Sequence, residues 1–380
     1  MHILMFDMGS YTFQDTKEAI EKLGHNVDAM YYFFNNRFED EFFSERLELK
    51  LKRKKYDCII SINFFPLIAL AAKEYGIPYI SWSYDSPLAE QLSEYFEFET
   101  NYIYLFDRTE VENYQRSGYS RVFHLPLAVN TKRIDRLSFS QTINDKFQSD
   151  ISFVGKIYNS YLNDLLLCAD DYTKGYVEAL FQAQFNIYGY NFLEKTIPDS
   201  LIQSLNNAYA KYGTTDVKLN KRGLAYAINT QITHVERTIL LESLAETHNL
   251  HFYSTENNNL SKNVKQCGPV KYFDEMYAVF KNSKLNLCPT LKSISSGIPL
   301  RALDILGSNS VLFSNFQPEL VEYFTDGEDV IMYESLEDAI YKAEFYLNNP
   351  EVLNRIAFSG YTKVSSYFSY EERIEQLLKL

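Results

Sequence analysis

The residues best suited to chemistry lie in the segment 293–304, where hydroxyls, a glycine and two charges follow an apolar run. Pro299 is typical of the first turn of a helix. The N-terminus of a helix offers free backbone N–H groups to a diphosphate, and Gly297 would let the backbone approach it. Arg301 adds a cation, and Asp304, one turn further on, could hydrogen-bond a ribose diol. An ordinary capped helix with an Arg–Asp ion pair is the alternative.

Asp85 is the candidate general base in the first half of the chain. It follows an apolar run that ends at Trp82, so we expect it at the carboxyl end of a strand, where ligands bind in parallel sheets. The sequence Asp-Ser-Pro is also a common helix start, and capping by Asp85 or Ser86 is the alternative. His124 is the second candidate base. The six histidines and four cysteines show no metal-ligand spacing, and we expect neither a metal ion nor a cofactor.

Short apolar runs alternate with helical patterns along most of the chain. In the first half, the runs at 2–6, 57–62 and 102–106 are followed by helical periodicity, and the run at 78–82 is a further predicted strand. Thr12 could cap the first helix, and Gly24 stands where a left-handed residue would end it. This alternation predicts parallel, doubly wound sheets and an α/β fold.

A second series of strands begins at 150–155, after a polar stretch. We predict an N-terminal domain, a connection, a C-terminal domain with a helical insertion, and a C-terminal helix that could pack back on the N-terminal domain. Their residues are 1–130, 131–149, 150–365 with the insertion at 161–230, and 366–380. Within the last helical stretch we expect an interruption near Gly360.

Composition excludes several classes of protein. The 380 residues carry a formal net charge of −13, which disfavours nucleic acid as a partner. Four cysteines far apart in sequence indicate a reducing compartment. The first apolar run is too short for a signal peptide, and no run approaches the ~20 residues of a membrane span. We therefore expect a cytoplasmic protein.

Two further features of the composition have alternative interpretations. The basic run at 50–55 is either a solvated helix end or a peripheral contact with anionic lipid. Aromatic residues make up 16% of the chain. Codon bias, a cleft in which a sugar or base stacks, and an oligomer contact are the alternative explanations.

Several segments together resemble GT-B glycosyltransferases, in particular the spore-maturation-type family. The C-terminal matches are Gly268–Val270, Leu285–Leu287, Ser296–Arg301, Asp304–Gly307 and Asn354–Ala357 with Gly360, and the N-terminal matches are Ser83–Pro87 and Leu125–Ala128. The resemblance implies two Rossmann-like domains with parallel sheets facing a central cleft. It implies metal-independent transfer of a hexosyl or N-acetylhexosaminyl group from a nucleotide-sugar donor, with UDP as the expected nucleotide, in protein or polysaccharide glycosylation.

The resemblance also assigns roles to residues. The nucleotide-sugar would be held by Gly155, Lys156, Arg237, Gly268, Val270, Tyr272, Ser296, Gly297, Ile298, Leu300, Arg301 and Asp304. Asp85 and Arg301 would be catalytic, and the loop Gly9, Ser10 and Tyr11 would face the acceptor. A helix-surface ion pair is the alternative for Arg237.

One departure from the family pattern bears on the mechanism. Retaining relatives carry two glutamates eight positions apart; here Asp304 can stand for the second, but Ser296 occupies the first position. Stabilisation of the leaving diphosphate would then come from backbone dipoles and from Arg or Lys. A non-catalytic nucleotide- or sugar-binding protein and a nucleotide-sugar epimerase are the alternatives.

Overall fold

The computed structural model describes residues 1–211, 218–256 and 258–379. It divides into two compact units, and the chain leaves and re-enters unit 1 twice. Unit 1 is Met1–Arg136, Gly297–Gly307 and Val364–Leu380, and unit 2 is Leu137–Ser296 and Ser308–Lys363. The segment 297–307, which we predicted in the C-terminal domain, is thus grouped with unit 1.

The described part of unit 1 contains one parallel sheet of six strands, in the order β2-β1-β3-β4-β5-β6. The strands are β1 (His2–Asp7), β2 (Asn26–Tyr31), β3 (Cys58–Ile62), β4 (Tyr79–Ser83), β5 (Asn101–Leu105) and β6 (Val122–His124). β1 pairs with β3 from Ile3↔Cys58 to Phe6↔Ser61. Because β2 lies on one side of β1 and the later strands on the other, the strand order reverses between β1 and β3.

Helices pack on this sheet, and polar side chains begin several of them. With helices numbered along the whole chain, those of unit 1 are α1 (Phe13–Lys22), α2 (Glu41–Arg53), α3 (Pro66–Tyr75), α4 (Arg108–Arg116), α5 (Thr131–Asp135), α13 (Leu300–Gly307) and α17 (Tyr370–Leu377), with a 3₁₀-helix at Glu90–Tyr95. Asp40 caps α2 by accepting a hydrogen bond from the N–H of Phe43. Gly76, at φ 62°, ends α3.

Unit 2 also has, within its described residues, a parallel sheet of six strands, in the order β12-β11-β10-β7-β8-β9. They are β7 (Ser149–Val154), β8 (Leu250–Tyr253), β9 (Lys265–Gln266), β10 (Ser283–Cys288), β11 (Leu312–Asn315) and β12 (Ile331–Tyr333). Here the order reverses between β7 and β10. The α/β class with two parallel sheets is confirmed.

The helical insertion is confirmed as well, and it has an apolar core of its own. The remaining helices are α6 (Gln141–Phe147), α7 (Leu162–Leu165), α8 (Asp171–Phe185), α9 (Leu193–Thr196), α10 (Asp199–Lys211), α11 (Lys221–Ala245), α12 (Glu275–Lys281), α14 (Pro318–Tyr323), α15 (Leu336–Leu347) and α16 (Pro350–Tyr367). Leu162, Val177, Leu193, Leu205 and Ile228 belong to one buried cluster contributed by α7–α11. The part of the predicted insertion at 212–217 lies outside the described residues.

Three local predictions need correction. Thr12 precedes α1, but its side chain does not cap the helix; its hydroxyl lies 2.9 Å from that of Ser10. The connection predicted at 131–149 contains helices α5 and α6. α16 runs without interruption through Gly360, because a glycine inside a helix lowers its stability without breaking it. In the described residues no helix is both long and apolar enough to cross a bilayer.

Candidate functional site

Arg237 lies where the strand order of unit 2 reverses. It comes from α11, and its two terminal nitrogens donate to the carbonyl oxygens of Lys156 and Pro289. Lys156 follows β7 and Pro289 follows β10, so this guanidinium joins the loops at the carboxyl ends of both strands. In sheets of this type a ligand binds at that place.

The surroundings of Arg237 differ from those of a surface cation. The residue is only 7% exposed, with the guanidinium 5.3 Å from the ring centroid of Phe153 and 5.2 Å from that of Tyr158. Burial lowers the pKa of Arg237, although a guanidinium stays charged in proteins. Its Nε atom is buried without a hydrogen-bond partner. The alternative of a helix-surface ion pair is therefore wrong.

A second buried cation, Lys292, pairs with Glu236, the residue that precedes Arg237 in the chain. The ammonium of Lys292, on the loop after β10, is 3.7 Å from Oε2 of Glu236 and 3.4 Å from the ring centroid of Tyr188. The hydroxyl of Tyr188 donates to Oε1 of Glu236 at 2.9 Å. Burial lowers the pKa of Lys292, whereas the Glu236 carboxylate acts in the opposite direction. The ammonium and the carboxylate thus lie beside each other in the buried interior of unit 2.

The other unit 2 residues assigned to the donor lie along the same sheet edge. Gly155 and the exposed Lys156 directly follow β7. Gly268, at φ 73°, and Val270 follow the edge strand β9. The half-buried ring of Tyr272 lies near these residues in sequence and packs against Phe273 and Tyr277, at centroid distances of 5.2 and 5.9 Å. The sheet thus places 155–156 at the reversal of strand order and 268–272 two strands away.

Ser296 is buried and bonded to a carboxylate. Its hydroxyl donates to Oε1 of Glu319 at 2.8 Å, and its carbonyl accepts from the N–H of Glu319 at 3.1 Å. A carboxylate from α14 thus lies beside position 296, where the family resemblance would place a glutamate.

In unit 1, the packing of Gly297 gives it a structural role. A Cβ atom at Gly297 would lie 2.7 Å from the ring and 2.9 Å from the carbonyl oxygen of Phe106. The side chain of Ile298 is buried next to it, and Leu300 begins α13. Close packing on Phe106 is therefore sufficient to require glycine at position 297.

Arg301 and Asp304 form the ion pair that the sequence left as an alternative. The Arg301 guanidinium lies 3.7 Å from Oδ2 of Asp304; the Arg301 side chain is 30% exposed and that of Asp304 is 2% exposed. In this conformation the Asp304 carboxylate is buried. The ribose role of Asp304 stays a prediction.

The predicted acceptor loop follows β1 and is shaped by the last residue of that strand. Oδ1 of Asp7 accepts from the N–H groups of Gly9 and Ser10 at 3.0 and 2.8 Å. Gly9 has φ 87°, and a Cβ atom there would lie 3.1 Å from the ring of Phe33. Tyr11 is 60% exposed. The loop is thus held by the buried carboxylate of Asp7 and exposes the ring of Tyr11 to solvent.

Asp85 lies at the carboxyl edge of the same sheet, and neither it nor Ser86 caps a helix. Oδ2 of Asp85 accepts from Nδ2 of Asn63 at 2.7 Å, while Ser86 donates to Glu110 at 2.8 Å. Asp85 keeps an exposed surface, yet partial desolvation raises the pKa of its carboxyl against the effects of Arg37 and the Asn63 hydrogen bond. A carboxyl with a raised pKa suits a general base.

Sequence reasoning missed the residues that support these groups. Asn63 follows β3 with φ 66°, and its Oδ1 also accepts from the N–H of Tyr84 at 2.8 Å; an asparagine directly after an apolar run was the available signal. Asp7 before Met8-Gly9 was a comparable signal for an Asx turn. Glu236 and Lys292 gave none, since they are 56 positions apart in the chain. His124, the second candidate base, ends β6 half-buried.

Within the described residues, no group of three or more His, Cys, Asp or Glu side chains could hold a metal ion. The expectation that the protein needs no metal or cofactor stays a prediction.

Comparison with known proteins gives matches by family model and by structure. Residues 237–379 match the model of the glycosyl transferase-like family. A glycosyltransferase from Rickettsia africae has a similar structure (TM-score 0.54, 11% identity, covering 100% of this chain and 97% of the other). So do sucrose-phosphate synthase from Thermosynechococcus elongatus (0.53, 12%, 99% and 97%) and HepE from Anabaena in complex with UDP and glucose (0.51, 9%, 99% and 98%). No curated protein matches the sequence significantly.

These structural likenesses and the two parallel sheets confirm the GT-B fold. The match of the C-terminal part to a glycosyl transferase-like family agrees with the resemblance seen in the sequence. The matched segment begins at Arg237, the residue that joins the two loops in unit 2.

Proposed function

We propose that this protein is a glycosyltransferase that moves a hexosyl or N-acetylhexosaminyl group from a nucleotide-diphosphate sugar to a protein or polysaccharide acceptor. UDP is the proposed nucleotide, in part because HepE was solved with UDP and glucose. The spore-maturation-type family remains the proposed subfamily, and a cytoplasmic site of action is part of the proposal.

The arrangement around Arg237 carries this proposal. Its guanidinium holds the loops after β7 and β10 together, and the exposed ammonium of Lys156 lies on the first of these loops. A diphosphate bound there would meet the Lys156 ammonium, on a loop that the buried Arg237 guanidinium holds in place, so the charge that develops on the leaving group would be stabilised without a metal ion. Gly268, Val270 and Tyr272 would contact the base. Ser296, Gly297, Ile298, Leu300, Arg301 and Asp304 keep the diphosphate and ribose roles that the family resemblance gives them.

On the acceptor side, Asp85 is the proposed base. Its carboxylate would accept a proton from the acceptor hydroxyl, and Asn63 would hold the carboxylate in place through the 2.7 Å hydrogen bond. Gly9, Ser10 and Tyr11 would contact the acceptor.

Calorimetric titration with UDP, GDP and ADP tests the donor assignment. We expect selective binding of UDP, and we expect Lys156→Met to weaken it about tenfold, as for the loss of a hydrogen bond to a charged group. Lys174→Met, at an exposed lysine of α8, is the control and should leave UDP affinity unchanged. Equal binding of all three nucleotides, or no effect of Lys156→Met, would contradict the proposed site.

A non-catalytic binding protein is the second candidate, because Ser296 replaces an ionisable residue of retaining relatives. Incubation with UDP-sugars, with and without a chelator, separates the possibilities. Turnover that survives chelation supports the proposed enzyme, and binding without hydrolysis or transfer supports the second candidate. Conversion of the sugar without an acceptor would identify an epimerase.

A further inference from the structure

Helix α2 of unit 1 carries two exposed faces of opposite charge. At about 100° per residue, Phe42, Arg46, Leu49, Lys50 and Arg53 fall on one side of the helix, here named the α2 stripe. The buried side of α2 is formed by Phe43, Leu47 and Leu51. The acidic residues Glu41, Glu45 and Glu48 occupy a separate face, where Glu48 is paired with Lys52. The cations of the α2 stripe are therefore separated from the three glutamates, whereas Lys52 lies among those glutamates.

The α2 stripe combines cations with exposed apolar side chains. Phe42 is 59% exposed and Leu49 is 53% exposed, and the Arg46 guanidinium lies 5.7 Å from the centroid of the Phe42 ring. Among the described residues, no ion pair involves Arg46, Lys50 or Arg53. In a protein with net charge −13, these cations beside exposed apolar groups form a surface that suits an anionic partner with an apolar phase.

The stripe faces a groove beside the edge strand of the sheet. Arg46 and Lys50 line a groove of about 340 Å³ together with Ala29, Met30 and Tyr31 of β2. The ring of Tyr31 is 58% exposed and lies 5.4 Å from that of Phe13. The groove thus offers two cations and an amphipathic ring to a phosphate-bearing headgroup.

We propose that the α2 stripe and this groove dock unit 1 on an anionic phospholipid bilayer. Arg46, Lys50 and Arg53 would meet lipid phosphates, and Phe42, Leu49 and Tyr31 would enter the interface beside them. Charge complementarity and exposed apolar groups are the two signals that stable peripheral binding needs. An acidic soluble partner would satisfy the cations but would leave Phe42 and Leu49 unexplained.

Docking in this way would affect the acceptor side. Phe33, two residues after β2, touches the Gly9 position of the acceptor loop. A bilayer seated on β2 and α2 would therefore lie beside the loop proposed to receive the acceptor. The proposal itself does not require transferase activity.

Co-sedimentation of the full chain with vesicles tests the docking surface. We expect binding to vesicles of phosphatidylcholine with phosphatidylglycerol, weakening as salt rises, and little binding to phosphatidylcholine alone. The double variant Arg46→Glu/Lys50→Glu should lower binding about tenfold or more, given the contribution of each basic residue near an anionic surface. Phe42→Ser/Leu49→Ser should lower it at every salt concentration.

The control is Lys174→Glu/Lys262→Glu, which reverses two exposed cations of unit 2 with the same change of net charge. It should bind as the unaltered protein does. An equal loss in the control, equal binding to neutral vesicles, or no binding to anionic vesicles would overturn the proposal. Glycerol phosphate that displaces the protein completely at low concentration would assign the groove to a free phosphate ligand instead. Circular dichroism checks that each variant is folded.

Discussion

The two sheets reverse their strand order in similar ways, but their carboxyl edges are built differently. In unit 2 the loops are tied by buried ionic groups, with Arg237 on two carbonyl oxygens and Lys292 beside Glu236. In unit 1 the loops are held by hydrogen bonds to carboxylates: the buried Asp7 accepts from the N–H groups of the next turn, and the exposed Asp85 accepts from Asn63. This difference agrees with the proposed roles, a preorganised site for a diphosphate in unit 2 and an accessible site for a larger acceptor in unit 1.

At the carboxyl edge of the unit 1 sheet, a substitution should lower activity without lowering stability. Asp85→Asn keeps the shape of the side chain but takes away the proton acceptor, so we expect kcat for transfer to fall about 10²- to 10⁴-fold. UDP affinity and thermal stability should not change. Steady-state transfer and calorimetry on the same preparation measure both.

The pH dependence has a defined direction. Because partial desolvation raises the pKa of Asp85, the base is lost at a higher pH than for an ordinary carboxyl. The acid limb of kcat/KM should therefore lie above the usual aspartate range of about 3.9 and vanish in the variant. Asp171→Asn, at an exposed position of α8, is the control. Full activity of Asp85→Asn would remove this residue from catalysis.

At the carboxyl edge of the unit 2 sheet, a substitution of a buried ionic group should lower the stability of the protein. Arg237→Met leaves the carbonyl groups of Lys156 and Pro289 without their donor, so we expect the free energy of unfolding to fall by about 3 kcal/mol. Urea unfolding followed by circular dichroism measures this. Arg355→Met, which removes an exposed arginine of α16, should change it by less than about 0.5 kcal/mol. A similar small effect at Arg237 would mean that the two loops are held by other contacts.

The difference between local and long-range contacts explains which features the sequence could predict. Apolar runs and glycine-ended helices predicted both parallel sheets, because strand burial and helix ends depend on neighbouring residues. The place of Asp85 at the carboxyl edge could be predicted because it lies two residues after the end of β4. The pairing of Lys292 with Glu236, and the role of Arg237 between two carbonyl groups, depend on tertiary packing of distant segments, which leaves no local pattern.

For the segment 297–307, the sequence predicts a local feature but not its tertiary packing. Its hydroxyl–glycine–proline pattern predicts a ligand-binding helix start, but the pattern does not show with which unit the helix packs. Gly307 is an example of such packing, because a Cβ atom at this position would lie 2.7 Å from Cγ2 of Val129. Such close packing between positions far apart in sequence cannot be read from either segment alone.

Asp304→Ala tests whether the Arg301–Asp304 pair also serves the nucleotide. If the carboxylate hydrogen-bonds a ribose, UDP affinity should fall by about 2 kcal/mol, which is the range for a lost hydrogen bond to a charged group. We expect this result, measured by calorimetry. Arg301→Met breaks the same 3.7 Å ion pair and serves as the comparison for stability. Unchanged UDP affinity together with lowered stability of both variants would limit Asp304 to the ion pair.

The smallest expected effect separates packing from ligand approach at Gly297. Gly297→Ala adds a Cβ atom 2.7 Å from the Phe106 ring and 2.9 Å from its carbonyl oxygen, so we expect a loss of about 1–2 kcal/mol in the free energy of unfolding. Gly175→Ala in α8, where nothing lies within 4 Å of the added atom, should instead stabilise the helix by about 0.5–1 kcal/mol. Since the Phe106 contact lies wholly within unit 1, a packing role predicts lower stability with nearly unchanged UDP affinity. Unchanged stability with weakened UDP binding would instead support the proposed diphosphate role, in which glycine is needed for close approach of the ligand.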